Sequence, residues 1–230
     1  MSPATAELPG LVRRYLERAL PPQTPTPAAV RVTQSGEMWL KRGSGARRFT
    51  AVQDYAVREV AFTWQARFPL APLLSLRVVD RYAGGAGSLE ARLLGVRMMR
   101  QAGPETTLGE ALRYLAELAW VPHAMAANRR LEWRQLDQRS VEVATQIAAT
   151  RAAVTLQFDA TGDITGARCD ERPFQQDNGF VPRPWGGTFS DYASLDGIRI
   201  PTRGEVRWEL PDGPYTYWRG TITSLTVSGR

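Results

Sequence analysis

Residues Asp196–Ser228 read DGIRIPTRGEVRWELPDGPYTYWRGTITSLTVS. Ile198, Ile200, Val206, Trp208 and Leu210 fall on one side of a two-residue period. Arg199, Arg203, Glu205, Arg207 and Glu209 fall on the other. That pattern predicts a strand with one buried face and one solvated face of mixed charge. Pro211-Asp212-Gly213-Pro214 is turn chemistry, and a second strand follows over 214–228. In it, alternation sets Tyr215, Tyr217 and Arg219 on one face and Trp218, Gly220 and Ile222 on the other. A connection this short joins antiparallel strands, because a parallel crossover needs about a dozen residues or more.

The same pattern extends outward. Strands are predicted at 131–137, 140–148, 151–159, 163–170, 185–193 and 196–210. Their turns are Asp137-Gln138-Arg139, Ala160-Thr161-Gly162-Asp163 and Asp196-Gly197. In the first half, strands are read over 30–40, 47–55 and 60–68. Two long ones, Leu73–Tyr82 and Ser88–Met99, are joined by the hairpin Ala83-Gly84-Gly85-Ala86-Gly87. That segment lacks the Gly-Lys-Ser/Thr of a phosphate loop. The meander amounts to about eleven strands.

Helices are few. Leu8–Leu20 has helical apolar spacing and is ended by Pro21 and Pro22, and the Pro-rich stretch 21–28 reads as an extended linker. Thr107 and Glu110 form a capping-box signature before a stripe of Leu108, Leu112, Leu115 and Ala119. Pro122 breaks that helix, and a short second one runs through Asn128. A long antiparallel sheet either closes or curls around something. A helical segment at 107–128, between two blocks of strands, is placed to plug it. The expectation is one α+β domain over 1–230.

The 230 residues hold 29 basic and 23 acidic side chains, a net charge of +6, one His and one Cys. Lys41 is the single lysine, so the excess is arginine. Arginines occur singly or in pairs, many beside carboxylates, and no nucleic-acid module signature is present, so no nucleic-acid partner is expected. Cys169 has no partner for an internal disulfide. One Cys and one His supply too few ligands for a zinc site, so neither metal nor cofactor is expected. The most apolar stretch, Phe68–Leu76, is nine residues long, against about 20 for a membrane span. Met1–Gly10 lacks the basic-then-apolar pattern of a secretory signal, which points to a cytoplasmic protein.

Two regions invite a functional reading. On the mid-chain helix, Glu110, Arg113, Tyr114, Glu117 and Trp120 lie opposite the apolar stripe. Either this is a solvated face with an Arg113–Glu117 ion pair, or Tyr114, Glu117 and Trp120 look into a cavity beneath the curled sheet. The C-terminal quarter gathers Trp185, Tyr192, Trp208, Tyr215, Tyr217 and Trp218. Such density suits a core or a ligand cavity walled by aromatics.

At these residues the chain resembles a family of uncharacterised bacterial proteins. The resemblance rests on Gly179-Phe180-Val181-Pro182-Arg183-Pro184-Trp185, Phe189-Ser190-Asp191-Tyr192, Gly197–Pro201 and Leu210-Pro211-Asp212-Gly213-Pro214-Tyr215-Thr216-Tyr217-Trp218-Arg219-Gly220. Arg77–Leu94 and Tyr114–Pro122 match as well, whereas His123 stands where the family is expected to carry a small polar residue. Such proteins look like the lipoprotein-carrier (LolA/LolB-like) half-barrel, a strongly curved antiparallel sheet with helices plugging its concave side. Proteins of that shape carry acyl chains. At least one, an enzyme of violacein biosynthesis, performs cofactor-free chemistry on an aromatic intermediate.

The resemblance and the aromatic density together imply a soluble protein that binds a small hydrophobic or aromatic molecule. Tyr114, Trp120, Arg183, Trp185, Tyr217 and Arg219 are the expected ligand-binding residues. The alternative is a cofactor-independent acid–base enzyme acting on such a molecule. There Glu117 or Asp80 would be the base, His123 the proton donor, and Arg219 or Arg183 the group steadying negative charge.

Overall fold

A computed structural model describes residues 7–177 and 179–229. Helix α1 (Gly10–Ala19) precedes strands β1 (Ala29–Met38), β2 (Arg47–Ala56), β3 (Phe62–Ala71), β4 (Leu74–Ala83), β5 (Ala86–Leu93) and β6 (Val96–Ala102). Helix α2 (Pro104–Ala116), a 3-10 turn (Glu117–Trp120) and helix α3 (Pro122–Ala127) follow. The second block holds β7 (Glu132–Gln135), β8 (Ser140–Ile147), β9 (Thr150–Phe158), β10 (Ile164–Gln176), β11 (Gly179–Leu195), β12 (Ile198–Leu210) and β13 (Gly213–Ser228).

All thirteen strands form one sheet, ordered β6-β5-β4-β3-β2-β1-β13-β12-β11-β10-β9-β8-β7, with antiparallel pairing throughout. The last strand pairs with the first, Met38 facing Trp218, and this seam joins the two meanders. The outer strands β6 and β7 are consecutive in sequence, so the chain passes from one edge to the other through α2 and α3. That passage lays α2 across the concave face, against β4, β5 and β6 of one meander and β8 to β11 of the other. The result is a curled half-barrel with a helical plug.

One face of the curl carries the core. Phe49, Ala51, Gln53 and Tyr55 of β2 and Phe62, Trp64, Ala66 and Phe68 of β3 are buried, as are Val154, Leu156 and Phe158 of β9. Burying each large apolar side chain contributes roughly 1.5–3 kcal/mol. Helix α1 docks through Leu11, Val12, Tyr15 and Leu16. The Tyr15 hydroxyl donates to the Ala119 carbonyl at 2.6 Å, tying α1 to the 3-10 turn.

Three expectations are corrected. The sheet has thirteen strands rather than about eleven, in part because the stretch 88–99 turns at Leu94-Gly95, both at positive φ, and becomes two strands. Strands β10 and β11 run beyond the expected bounds of 163–170 and 185–193, through Pro173, Pro182 and Pro184. This arm extends past the last β9 partner, Arg168, and the first β12 partner, Trp185, so its prolines face no third strand. The helix begins at Pro104 rather than Thr107. Thr107 does not cap it: its Oγ1 accepts from the Gly87 N–H at 3.0 Å, pinning the helix to β5.

Candidate functional site

Four cross-strand neighbours form a row on the concave face: Gln53 pairs with Trp64, Trp64 with Asp80, and Asp80 with Leu89. Helix α2 and the turn after it lower Glu110, Arg113 and Glu117 onto this row. The Arg113 guanidinium stacks on Phe62 and Trp64, 5.1 and 5.0 Å from the ring centres. Its Nη1 donates to Asp80 Oδ2 at 2.6 Å and its Nε to Glu117 Oε1 at 2.8 Å. The Arg113–Glu117 pair is therefore an interior feature rather than part of a solvated face.

Both carboxylate oxygens of Glu117 are engaged. Its Oε2 accepts from Gln53 Nε2 at 2.7 Å and from the Tyr55 hydroxyl at 2.8 Å. Gln53 Oε1 in turn accepts from Gln34 Nε2, and Gln34 Oε1 from Trp64 Nε1. Buried polar groups satisfied in a closed chain like this one fix geometry. Burial pulls the Arg113 guanidinium down, but Glu117, Asp80 and Glu110 together raise it above its ordinary value and hold it charged. Burial raises the Asp80 carboxyl, with Arg113 and Arg172 opposing the rise. Glu110 is pushed up to about 8, first by burial and then by the Asp80 charge.

The opposite wall comes from the second meander. Arg172 of β10 lies 4.1 Å over the Trp185 ring of β11 and 5.5 Å over the Trp208 ring of β12. Trp185 Nε1 donates to the Tyr217 hydroxyl at 3.0 Å, and Tyr217 stacks with Trp208. Trp120 packs edge-on against Phe189 and beside Trp218. Two glycines make room for these rings. A Cβ on Gly204 would stand 3.0 Å from Trp120, and one on Gly220 would stand 2.4 Å from Trp218.

These walls enclose a cavity of about 250 Å³ lined by Trp64, Asp80, Glu110, Arg113, Glu117, Trp120, Arg172, Trp185, Trp208, Tyr217 and Trp218, among others. Four buried atoms in the lining residues have no hydrogen-bond partner among the described residues: Asp80 Oδ1, Glu110 Oε2, Trp120 Nε1 and Arg172 Nη1.

Of the residues singled out from sequence, Asp80, Glu117, Trp120, Trp185 and Tyr217 meet at this cavity. Tyr114 does not line it: its hydroxyl lies 3.2 Å from the Glu59 carbonyl and accepts from Asn128 Nδ2 at 3.1 Å. Arg183 pairs across the strands with Arg172 but is not among the lining residues. Arg219 is also outside it, ion-paired with Glu205 and stacked over Trp39. His123 sits on α3 beside a separate groove that Leu16, Leu20, Met125 and Trp133 also line. Both its nitrogens are buried without a partner among the described residues, and burial lowers it to about 4.

Arg172 and Glu110 did not emerge from the sequence as site residues. Between Cys169 and Arg172, three steps on β10 match two on β11, and this bulge places Arg172 where alternation would place Glu171. A second bulge on β13 spans Thr216 to Trp218 against one step of β12. It lets Tyr217 and Trp218, expected on opposite faces, both line the cavity. Glu110 was assigned to a cap and a solvated face, but it is 7% exposed.

The profile of a family described as "Family of unknown function (DUF6544)" matches residues 1–220, and the chain belongs to that family. No curated protein matches the sequence. Among solved structures, the fold is similar to a LolA superfamily protein from Nitrosomonas europaea. The identity is 10% and the TM-score 0.50, over 96% of this chain and 93% of that one. It is also similar to a DUF1329 family protein from Desulfovibrio piger, at 11% identity and a TM-score of 0.51, over 94% and 90% of the two chains. At these identities the likeness shows a shared half-barrel fold.

Proposed function

We propose that this DUF6544-family half-barrel binds a small, largely apolar or aromatic molecule in its concave cavity. The observation that carries the reading is the pairing of aromatic walls with four unpartnered buried polar atoms, all on residues that line one space. An unmet buried donor or acceptor costs about 1–3 kcal/mol. A bound molecule with complementary groups would remove that cost, while its apolar body covers Trp120, Trp185, Trp208 and Trp218. At about 250 Å³ the space falls just under the roughly 300–1,000 Å³ of drug-sized ligand sites, which suits a small molecule.

Native mass spectrometry and tryptophan fluorescence with a panel of small hydrophobic and aromatic compounds test this. A one-to-one adduct that quenches the cavity tryptophans is expected, and it should be lost on Trp120→Ala. A panel that yields no adduct would sink the reading.

A second reading, cofactor-independent acid–base chemistry on the bound molecule, has one observation in its favour. Asp80 and Glu110 line the cavity, each has a buried oxygen with no partner among the described residues, and Glu110 is raised to about 8. Both oxygens of Glu117 are already taken. In this reading Asp80 accepts a proton, Glu110 returns one and Arg172 steadies developing negative charge. Asp80→Asn and Glu110→Gln would then abolish turnover of a bound compound while it still binds. Unchanged turnover in both variants would leave only the binding role.

A further inference from the structure

Three arginines lie in or beside the core, and their partners differ. Arg113 is held by Asp80 and Glu117. Arg199 makes two bonds to Asp163, at 2.6 and 2.7 Å, with the Tyr192 ring beneath it. Arg172 is 9% exposed, and no described carboxylate comes within 4.0 Å of it. Its Nη1 has no hydrogen-bond partner among the described residues. Aromatic stacking accounts for the plane of the guanidinium but leaves its N–H edge unmet. Asp80 and Glu110 act on it through space without bonding to it, and a buried cation whose donors are unmet is costly unless an anion reaches them.

We infer that the cavity's ligand is an amphipathic carboxylic acid, its carboxylate bound by Arg172 and its apolar or aromatic body lying among Trp120, Trp185, Trp208, Tyr217 and Trp218. The inference rests on the cavity being the binding site and adds the chemical class of its occupant.

The guanidinium is already placed for the task. It lies over Trp185 on one side and beside Gly109 of α2, where a Cβ would stand 3.7 Å from its Nε and Nη2. A planar, fixed fork of donors matches a carboxylate better than it matches a point charge. Other lining groups narrow the class. Asp80 also lines the cavity, so a dianion such as a phosphate monoester meets more repulsion there than a singly charged carboxylate. The bulge between Cys169 and Arg172 serves the same end, since it turns an arginine rather than Glu171 inward.

The test compares an acid with its primary amide of the same shape: indole-3-acetate against indole-3-acetamide, and octanoate against octanamide, by isothermal titration calorimetry. In the unmodified protein at least one acid binds at least tenfold more tightly than its amide. Arg172→Met keeps the length of the side chain and removes its charge. It abolishes that preference, the acid then binding no more tightly than its amide, and Arg172→Lys restores part of it. Thermal melts confirm that both variants are folded. If the amides bind as well as the acids, or if the preference survives Arg172→Met, this inference falls and the cavity reading stands. If neither acid nor amide of either pair binds, both fall.

Discussion

Arg113 and Glu117, one helical turn apart, bond inside the protein: Nε donates to Oε1 at 2.8 Å, with both side chains largely covered. On an exposed helix such a pair is worth about 0.3–0.5 kcal/mol. Here Arg113 also neutralises Asp80 and stacks on two rings of β3. Replacing it by Met strands two buried carboxylates, so Arg113→Met should destabilise by about 3–5 kcal/mol. Urea unfolding at pH 7 checks this, and a loss under about 1 kcal/mol would place the pair with ordinary surface bridges.

The raised carboxyl of Glu110 makes stability depend on pH in a defined direction. Asp80 of β4, Arg113 and Glu117 of the helical segment and Arg172 of β10 all act on it. The folded state keeps a proton up to about pH 8 that an unfolded chain releases near the ordinary value of 4.5. The folded state therefore binds more protons across that window, and stability falls as pH rises through it. Glu110→Gln removes the penalty. Between pH 5 and pH 8.5 the variant should gain on the parent by about 2 kcal/mol, allowing for relaxation around a shift worth about 1.4 kcal/mol per unit. Parallel unfolding curves at the two pH values would contradict this.

His123 gives the opposite slope. Burial lowers its pKa from 6.5 to about 4 in the folded protein, so the unfolded chain takes up its proton first on acidification. Stability is lost as pH falls from 6.5 towards 4. His123→Phe fills the site without a titrating group and should flatten this acid limb by about 1–3 kcal/mol. Its position outside the aromatic cavity carries a second expectation, that ligand affinity at pH 7 is unchanged.

Much of the architecture was legible because one physical signal dominates it. Alternation in 60–68 and 196–210, with short turns between strands, fixes an antiparallel meander, and a helical period in mid-chain marks the plug. Glu117 and Trp120 stand out by helix position, Trp185 and Tyr217 by aromatic density and the family motif, and Asp80 as a candidate carboxylate base, and the five converge in space. What escaped was parity. Arg172 and the Tyr217–Trp218 neighbours owe their orientation to bulges, and a bulge inverts every inward–outward assignment beyond it without any sequence mark of its own. Glu110 escaped for another reason. A carboxylate on the polar side of a helix reads as solvated unless a sheet is known to cover that side, and here β4 and β5 do.

Gly204 offers the most direct control of the cavity. It is the cross-strand partner of Gly220, which in turn faces Gly36, and the row lets the Trp120 and Trp218 rings lie close to the strands. A methyl group at 204 would stand 3.0 Å from the Trp120 ring and 3.3 Å from the Trp218 ring, so one ring must move. Trp120 is held by Phe189 on one side and Trp218 on the other, and it lines the cavity. Gly204→Ala should therefore cost about 1–3 kcal/mol as an overpacked core. It should also weaken any cavity ligand by roughly the tenfold that about 1.4 kcal/mol represents. Gly84, in the distant β4–β5 turn, lines none of the cavity. A Gly84→Ala variant strains a positive-φ turn and separates lost stability from lost binding, since only its melting temperature should fall. Equal loss of affinity in both variants would show that the Gly204 effect works through global stability and not through the rings.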